Sequence, residues 1–369
     1  MKKTMKNWLA VSLCFLILVV SIVFYLNNRP DDNAVRERSI TMTDVGFDTS
    51  ITFKATCSKE DFDKYTKIVR KMYKHYNKLY DAYNSYKGVN NVYTLNQEAY
   101  DHAVEVDPDL TDCIELGLQM NETCSQFDIT QGDIMSIWHT YREEGIQLND
   151  EGKSGKLPDD AQLQEALTHA GSDKVIIEGN TIRFTDPELK LDLGGIAKGY
   201  TSQLVKEELN KRGLKNGFIN AGGNVVILGA KSDGSDWKIG IQNPDGNTAL
   251  ITYETDSDDA IVTSGDYQRY YKVGKKKYSH IIDFTTGYPA NYCRSVTVVC
   301  SDSGKADALS TALYCLNYED GKKLAEKEKI GAVWIFTKSQ APDDSPDLKS
   351  DGFYIYATDN MKDKISVSY

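Results

Sequence analysis

The sequence predicts an α+β fold, in which mixed, largely antiparallel sheets pack against helices. Helical periodicity dominates the first half of the chain, whereas short strand-like runs separated by turn residues dominate from residue 217 onward. Strands and helices do not alternate one by one, as the βαβ units of a doubly wound parallel sheet require. These two observations favour packed hairpins and helices over a parallel sheet.

The chain begins with an apolar segment that predicts one transmembrane helix. After Lys2, Lys3 and Lys6, the run from Trp8 to Leu26 contains no charged residue. A helix over this run would be about 28 Å long, close to the thickness of a bilayer's hydrocarbon core. Because the lysines precede the run, the positive-inside rule places the N-terminus in the cytoplasm and the remainder outside. The competing interpretation, a cleaved signal peptide, requires a shorter apolar core and a small-residue cleavage site.

These features divide the chain into three parts. Residues 1–26 form the cytoplasmic tip and membrane anchor, residues 27–39 a linker, and residues 40–369 an extracytoplasmic domain. The predicted location is the cell membrane, crossed once. The whole chain carries a net charge of −11, and four basic residues with no acid precede Pro30, so the remainder carries −15. A surface this acidic repels polyanions, which argues against nucleic acid as a partner.

Periodic apolar residues predict the helices of the first half. The predicted helices run from Phe62 to Tyr83, from Leu110 to Cys124 and from Asp159 to Ala170. The stretch of residues 143–160 is polar and contains glycine, so it predicts an exposed loop.

The second half predicts strands around two further helices. The stretch "KVIIEGNTIRF" is typical of a hairpin, because alternating apolar residues flank a Gly-Asn turn. One helix begins at Ile196 and ends before Gly213, and another covers Ala306 to Leu316. Further strands are predicted at "GFIN", "NVVILG", "WKIGIQ", "YYKVGKKKYSHII", "RSVTVVC", "AVWIF" and "FYIYA".

The stretch "LDLGGIAKGY", residues 191–200, is the first candidate site. A glycine-rich turn before a helix exposes backbone N–H groups that can bind phosphate, and Lys198 adds a positive charge. The stretch matches neither the Walker sequence nor the dinucleotide fingerprint. By itself it is more often a tight turn between a strand and a helix, with a lysine on the surface.

Two further stretches place glycines or a histidine beside apolar runs. Gly222 and Gly223 interrupt "FINAGGNVVILG", which permits a bulge or the close approach of a ligand to the backbone. In "SHIIDFTTGYP", His280 lies near Asp283 and a Thr-Thr-Gly turn, so both residues are candidates for acid–base chemistry or ligand contact. A structural role is the alternative for each stretch.

The stretch "ADALSTAL" combines a carboxylate and a hydroxyl. Asp307 and Thr311 are four residues apart near the start of a predicted helix, so their oxygen atoms share one face. Together with a backbone carbonyl they suit a hard cation such as Mg²⁺, which retains water ligands and bridges to phosphate oxygens. The alternative is an acid favoured by the helix dipole beside an ordinary threonine.

Taken together, these stretches resemble the ApbE family of FAD:protein FMN transferases. The matching motifs follow the family's order and are "FDITQGDIMSIW", "LDLGGIAKGY", "NAGGNV", "TSGDYQRYY", "HIIDFTTGYP" and "ADALSTAL". The resemblance implies an ApbE-like fold and an enzyme that binds FAD with Mg²⁺. Such an enzyme transfers FMN to a threonine hydroxyl of an acceptor protein and releases AMP. With the predicted anchor, it implies an acceptor outside the cytoplasm.

The resemblance also implies roles for individual residues. His280 is the candidate base for the incoming hydroxyl, and Asp283 is the candidate group that orients it. The implied metal ligands are Asp307, Thr311 and the main-chain carbonyl of Gly195. The implied FAD contacts are Asp128, Ile129, Thr130, Asp192, Lys198, Gly222, Gly223 and Ile281. Phe47, in "GFDT", lies in the segment where the family often has a methionine packed on the flavin.

Two other functions are open at this point. With water in place of threonine, the same site would act as an FAD pyrophosphatase that produces FMN and AMP. A non-catalytic flavin-binding protein is the other alternative, but it would need no metal site. In either enzymatic function the nucleophile comes from another molecule, which agrees with a sequence that has no serine or cysteine nucleophile motif.

Overall fold

The computed structural model describes residues 18–21 and 33–368. The strands are β1 Arg36–Met42, β2 Ile51–Cys57, β3 Val104–Glu105, β4 Val175–Glu178, β5 Thr181–Phe184, β6 Gly217–Ala221, β7 Asn224–Ile227, β8 Trp237–Gln242, β9 Ala249–Thr255, β10 Ala260–Gly265, β11 Tyr270–Val273, β12 Lys276–Ser279, β13 Ile282–Asp283, β14 Tyr288–Pro289, β15 Ser295–Cys300, β16 Gly331–Phe336, β17 Leu348–Ser350, β18 Phe353–Ala357 and β19 Ile365–Val367. The α-helices are α1 Lys59–Leu79, α2 Val92–Glu98, α3 Pro108–Thr123, α4 Gly132–Asp150, α5 Asp160–Leu167, α6 Ala197–Lys211, α7 Ser303–Tyr314 and α8 Tyr318–Lys327. Short 3₁₀ turns lie at Ser172–Lys174 and Asp359–Lys364.

A nine-stranded sheet forms the centre of the fold, with the strand order β1-β2-β6-β7-β10-β15-β16-β18-β17. Its neighbouring strands pair in antiparallel fashion. Smaller sheets have the orders β19-β9-β8 and β3-β5-β4, and two hairpins pair β11 with β12 and β13 with β14. The prediction of largely antiparallel sheets with packed helices is therefore confirmed.

The two faces of the central sheet bury different partners. In β7, Val226 packs into the core on the helix side, whereas Val225 and Ile227 pack on the opposite face against the β19-β9-β8 sheet. This alternation follows from the two-residue period of a strand. The helices α6 and α7 pack against each other and against strands β7, β10 and β15 on the first face.

Helix α1 confirms the first predicted helix, with a different end. The side chain of Ser58 accepts a hydrogen bond from the N–H of Asp61 and caps the first turn. The helix ends at Leu79, so Tyr83 lies beyond it in the following turn. Asn84 and Ser85 are irregular as well, so the predicted helix is too long at its C-terminal end.

The loop predicted at residues 143–160 is wrong in its first half. Helix α4 continues to Asp150, and only the part that follows is irregular before α5. A close contact with the β11–β12 hairpin explains the difference. A β-carbon on Gly145 would lie 2.2 Å from the ring of Tyr271, and Asn149 exchanges two hydrogen bonds with the main chain of Lys272. These tertiary contacts stabilise a helix whose local sequence favours a loop.

The N-terminal predictions are tested only in part. The apolar run from Trp8 to Leu26 lies outside the described residues, apart from residues 18–21. Within residues 18–21 and 33–368, no helix is both long enough and apolar enough to cross a bilayer. The linker predicted for residues 27–39 is too long, because Arg36–Ser39 pair with β2 at the edge of the central sheet. Polar residues are tolerated there since an edge strand faces solvent.

Candidate active site

A cavity of about 680 Å³ opens where the glycine-rich loop before α6, the start of α7 and the β6–β7 turn meet. All predicted site residues line this cavity except Thr130 and Asp283. The sequence motifs that were separated along the chain therefore meet in one place.

Asp307, Thr311 and Gly195 form one wall of the cavity. Asp307 and Thr311 lie one turn apart on α7, and Asp307 is only 4% exposed. A β-carbon on Gly195 would lie 3.4 Å from the hydroxyl oxygen of Thr311 and 2.9 Å from the ring of Phe127. The absence of a side chain at Gly195 thus lets its main chain come close to the threonine hydroxyl.

Gly199 explains how Asp307 reaches this position. A β-carbon on Gly199 would lie 2.1 Å from the carbonyl oxygen of Ser303 and 2.5 Å from the β-carbon of Asp307. Only glycine permits α6 and α7 to approach this closely. The approach lets the N–H of Gly199 donate a hydrogen bond of 2.8 Å to Oδ2 of Asp307.

The charge on Asp307 is set by opposing effects. Burial raises the pKa of this carboxyl, while the ammonium of Lys198 and the N–H of Gly199 act in the opposite direction. The Nζ of Lys198 lies 3.9 Å from Oδ1 of Asp307. A second cation beside Oδ1 would favour the ionised form further.

The donor atoms of this wall fit a hard divalent cation. A carboxylate oxygen, a hydroxyl oxygen and a carbonyl oxygen are the ligand types that Mg²⁺ prefers, and Mg²⁺ commonly adds waters and substrate phosphates to few protein ligands. Across residues 18–21 and 33–368, no group of three histidine, cysteine, aspartate or glutamate side chains could hold a metal. The donor atoms of Asp307, Thr311 and Gly195 suit a cation shared with a phosphate-bearing ligand.

His280 also lines the cavity, and a main-chain group orients its ring. Its Nδ1 lies 3.2 Å from the carbonyl oxygen of Arg269, and its backbone N–H donates to the same oxygen at 3.1 Å. Because a carbonyl oxygen only accepts, Nδ1 carries the proton and Nε2 of the neutral ring is an acceptor. Burial, followed by the charges of Arg269, Lys198 and Arg142, lowers the pKa of His280 to about 3. The neutral ring, which can accept a proton, is therefore the form present at neutral pH.

The structure corrects the role predicted for Asp283. Its Oδ1 accepts a hydrogen bond from the N–H of Thr285 at 2.9 Å, and its Oδ2 accepts one from the hydroxyl of Tyr292 at 3.0 Å. Asp283 thus holds the Thr-Thr-Gly turn together, and the carbonyl of Arg269 takes the place predicted for it beside His280. The three-residue separation of His280 and Asp283 in the sequence could not distinguish these two arrangements.

Asp128 and Thr130 belong to the same motif, but of the two only Asp128 lines the cavity. Oδ1 of Asp128 accepts hydrogen bonds from the N–H and the hydroxyl of Thr130, at 2.9 Å and 2.6 Å. Thr130 is 1% exposed and accepts a further bond from the N–H of Gly171. It stabilises the turn that presents Asp128 and Ile129 to the cavity.

Gly222 and Gly223 form a two-residue hairpin turn between β6 and β7, and not the bulge that was one of the two possibilities for this stretch. Both have a positive φ, 59° and 93°, which is the conformation that a tight hairpin of this length requires. A β-carbon on Gly222 would lie 2.2 Å from the hydroxyl oxygen of Thr49. The turn borders the cavity on the side of the Phe47 segment.

Tyr83 and His139 are cavity residues that the sequence did not single out. The hydroxyl of Tyr83 donates to Oδ2 of Asp192 at 2.7 Å, and Oδ1 of Asp192 accepts from the N–H of Gly194. The ring of Tyr83 stacks on His139, with centroids 4.0 Å apart. The sequence predicts Tyr83 as the last residue of the first helix, but α1 ends at Leu79 and Tyr83 lies in the segment that follows.

Arg269 and Arg142 add positive charge to the lining of the cavity. Arg142 lies next to His139, with Nη2 2.9 Å from Nδ1 of the imidazole. Arg269 donates to the carbonyl oxygens of Phe47 and Asp48. Lys198 is the third basic residue of this lining, which also contains the carboxylates of Asp48, Asp81, Asp128, Asp192 and Asp307.

Comparison with known proteins identifies relatives over most of the chain. The model of the ApbE family matches residues 46–334. The FAD:protein FMN transferase of Vibrio cholerae is 29% identical over 289 residues, which cover 78% of this chain and 81% of that protein. The enzyme of the same name from Klebsiella pneumoniae is 32% identical over 252 residues, which cover 66% of this chain and 74% of that one.

Solved structures show the same architecture. The ApbE protein from Thermotoga maritima matches with a TM-score of 0.74 at 26% identity, over 89% of this chain and 99% of that one. The flavin transferase ApbE from Vibrio cholerae matches with a TM-score of 0.71 at 25% identity, over 90% of this chain and all of that one. The central antiparallel sheet with helices on one face is therefore the fold of the ApbE structures.

Proposed function

The chain belongs to the ApbE family, and from that premise we propose that it is an FAD:protein FMN transferase. In the proposed reaction, Mg²⁺-dependent transfer moves the FMN half of FAD to a threonine hydroxyl of an acceptor protein and releases AMP. The observation that carries the proposal is the meeting of Asp307, Thr311, Lys198 and His280 in one cavity of about 680 Å³.

His280 is proposed to act on the proton of the acceptor hydroxyl. Its Nε2 is free to accept because its Nδ1 donates to the carbonyl of Arg269. The threonine oxygen forms a bond to the phosphorus of the FMN half, and the bond from this phosphorus to the bridging oxygen breaks. AMP leaves with the bridging oxygen, and the hydroxyl proton passes to Nε2 of His280.

The part of the cavity formed by the loop before α6 and by α7 is proposed to bind the pyrophosphate. Lys198 supplies positive charge, and α6 begins at Ala197 just after the two glycines, with no side-chain hydrogen bond at its N-cap. The residues that would hold Mg²⁺ are Asp307, Thr311 and the carbonyl of Gly195. When bound, the cation would neutralise charge that develops on the phosphoryl oxygens.

We also propose that the domain acts outside the cytoplasm, tethered by a single transmembrane helix. The run from Trp8 to Leu26 behind three lysines supports this proposal. Protease added to intact spheroplasts should remove the domain and leave a protected N-terminal tag; protection of the whole chain would contradict it.

The transfer reaction is tested by incubating the purified full-length protein with FAD, Mg²⁺ and a candidate acceptor. We expect mass spectrometry to find one FMN added to an acceptor threonine, one AMP released per FMN, and no addition to the matched Thr→Ala acceptor. Rapid AMP release without any acceptor would instead identify an FAD pyrophosphatase. Tight FAD binding that persists in EDTA, without AMP or transfer, would identify a flavin-binding protein.

A further inference from the structure

We propose that Arg269 is a positioning residue of this site. Its guanidinium holds the turn of Phe47 and Asp48 on the cavity wall, while its carbonyl oxygen fixes the ring of His280. The inference rests on the proposed function, since it assumes that FAD occupies the cavity and that His280 takes the proton.

The turn at residues 46–48 has a conformation that needs outside support. Gly46, Phe47 and Asp48 have φ angles of 96°, 60° and 48°, so three consecutive residues are left-handed. For a residue with a side chain this region costs roughly 1–2 kcal/mol, and Phe47 and Asp48 both occupy it. Contacts from elsewhere in the chain must therefore hold the turn in place.

Helix α1 holds the first side of the turn. The N–H of Phe47 donates to Oδ1 of Asn77 at 2.6 Å, and the ring of Phe47 packs edge-on against Tyr73, with centroids 5.9 Å apart. A β-carbon on Gly46 would lie 2.2 Å from the side chain of Asn77, so the chain passes this amide closely. These contacts hold the N–H and the ring of Phe47, whereas the carbonyl oxygens of Phe47 and Asp48 have a different partner.

Arg269 is the partner of the two carbonyl oxygens. Its Nη2 donates to the carbonyl oxygen of Phe47 at 2.7 Å and to that of Asp48 at 3.2 Å. The ion pair with the carboxylate of Asp48 is longer, 3.8 Å, and that carboxylate is 90% exposed, so it contributes little. The planar guanidinium, with several donors in a fixed arrangement, suits this pair of acceptors in a way that a lysine does not.

The main-chain carbonyl of Arg269 holds the ring of His280. Its oxygen accepts from both the N–H and the Nδ1 of His280, at 3.1 Å and 3.2 Å. Arg269 lies just before β11 and His280 just after β12, so the hairpin brings the two residues side by side. One residue therefore contacts the Phe47 turn through its side chain and the proposed base through its backbone.

Because the two contacts come from different parts of the residue, substitution can separate them. Arg269→Gln and Arg269→Lys remove the guanidinium but keep the carbonyl oxygen. We expect each variant to weaken FAD binding at least about tenfold, since hydrogen bonds from a charged donor are lost. The transfer rate at saturating FAD should change less than about threefold, because His280 keeps its partner. Flavin fluorescence measures the first quantity, and AMP release with the acceptor measures the second.

Arg142→Gln is the matched charge control. It removes one positive charge from the same cavity, but Arg142 contacts His139 and Glu143 rather than the Phe47 turn. We expect it to weaken FAD binding less than Arg269→Lys does, although Arg269→Lys changes no charge. Free guanidinium at millimolar concentration should partly restore FAD binding by Arg269→Ala and have no such effect on Arg142→Gln. Limited digestion with chymotrypsin should cut the chain after Phe47 faster in Arg269→Gln and Arg269→Lys than in the parent protein.

Several outcomes would overturn this inference. Parental FAD binding by Arg269→Lys would show that only the charge matters. A lower rate at saturating FAD with unchanged FAD binding would place the effect on His280 instead of the turn. If the parent protein transfers no FMN, the proposed function fails, yet FAD binding and digestion after Phe47 still test the role of Arg269.

Discussion

Two walls of the cavity are built in different ways. The helix wall consists of Gly195, Lys198 and Gly199 together with Asp307 and Thr311 of α7. Its side chains are placed by regular helices that pack closely, and Asp307 is buried. The loop wall consists of the Phe47–Asp48 turn, Arg269 and His280. Its parts are joined by hydrogen bonds between residues as far apart as 222 positions.

The difference indicates a division of labour. The helix wall presents the oxygen donors and Lys198 that would face phosphate, and close packing leaves them little freedom to move. The loop wall presents a turn and a histidine, whose positions depend on a few hydrogen bonds. Substitutions in the helix wall should therefore abolish the chemistry, and those in the loop wall should change binding and proton transfer separately.

The largest expected effect is that of Asp307→Asn, which removes the negative charge of the Asp307 carboxylate while keeping an oxygen for the N–H of Gly199. We expect transfer to fall at least about a thousandfold, because the proposed cation site loses its only carboxylate. The melting temperature should remain close to that of the parent. AMP release with excess Mg²⁺, together with a thermal melt, measures both quantities.

Thr311 provides the matched control for that wall. Thr311→Ser keeps the hydroxyl and should retain most of the transfer activity, whereas Thr311→Val removes it at nearly constant volume and should not. Equal rates for Asp307→Asn and the parent, or equal rates for the two Thr311 variants, would contradict the assignment of a cation to this wall.

Gly199→Ala should break the packing of the helix wall without removing any functional group. Its β-carbon would overlap the carbonyl of Ser303 and the β-carbon of Asp307, so α6 and α7 must separate. We expect the free energy of unfolding to fall by about 2–3 kcal/mol and transfer to fall about a hundredfold. Urea denaturation and AMP release are the measurements.

Gly321→Ala is the control for a glycine in a helix. At Gly321 of α8, a β-carbon would meet Trp334 at an ordinary 3.5 Å. This variant should be as stable as the parent or slightly more so, because alanine favours helix. If Gly199→Ala behaves like Gly321→Ala, close packing of α6 on α7 does not place Asp307.

The helix wall could be predicted from the sequence because its pattern is local. Asp307 and Thr311 share a face whenever residues 306–316 are helical, and the glycines before α6 mark a turn. The antiparallel character of the sheet followed from short alternating runs for the same reason. What the sequence did not show is the contact between Gly199 and Asp307, which depends on two helices meeting.

The loop wall could be predicted only in part because its contacts are long-range. The sequence predicts His280 as a site residue with Asp283, three residues away, as its partner, whereas in the structure the carbonyl of Arg269 contacts the ring. Arg269 itself lies in a recognised motif, yet its target at Phe47 is distant in the chain. The helical extension of residues 143–150 was missed for the same reason, since Tyr271 and Lys272 stabilise it from β11.

His280→Gln should reduce the transfer rate about a hundredfold, the smallest loss typical of a missing general base, and change FAD binding less than about threefold. This result would place His280 in proton transfer and separate it from the Phe47 turn within the loop wall. Weaker FAD binding with an unchanged rate would contradict that placement.

The low pKa of His280, about 3, predicts a pH effect on stability with a definite sign. The unfolded histidine binds a proton below about pH 6.5, whereas the folded one remains neutral, so the parent loses stability as the pH falls below that value. Between pH 6.5 and 5 the parent should lose at most about 2 kcal/mol more than His280→Gln does. Parallel urea denaturation curves for the two proteins measure this difference; identical pH dependence would mean that the ring is not held neutral.

The smallest expected effect is that of Tyr83→Phe, which tests whether a residue in a loop influences the helix wall. Its hydroxyl bonds to Asp192, next to the glycines of the helix wall, but Tyr83 itself lies in an irregular turn and stacks on His139. Tyr83 is 38% exposed, so losing this hydrogen bond should weaken FAD binding only about three- to tenfold, with an unchanged rate at saturating FAD. His139→Phe keeps an aromatic partner for the ring and should bind FAD nearly as the parent does. If Tyr83→Phe instead lowers the rate at saturating FAD, the position of Asp192 affects the chemistry. The proposed division of roles between the two walls would then be contradicted at Asp192.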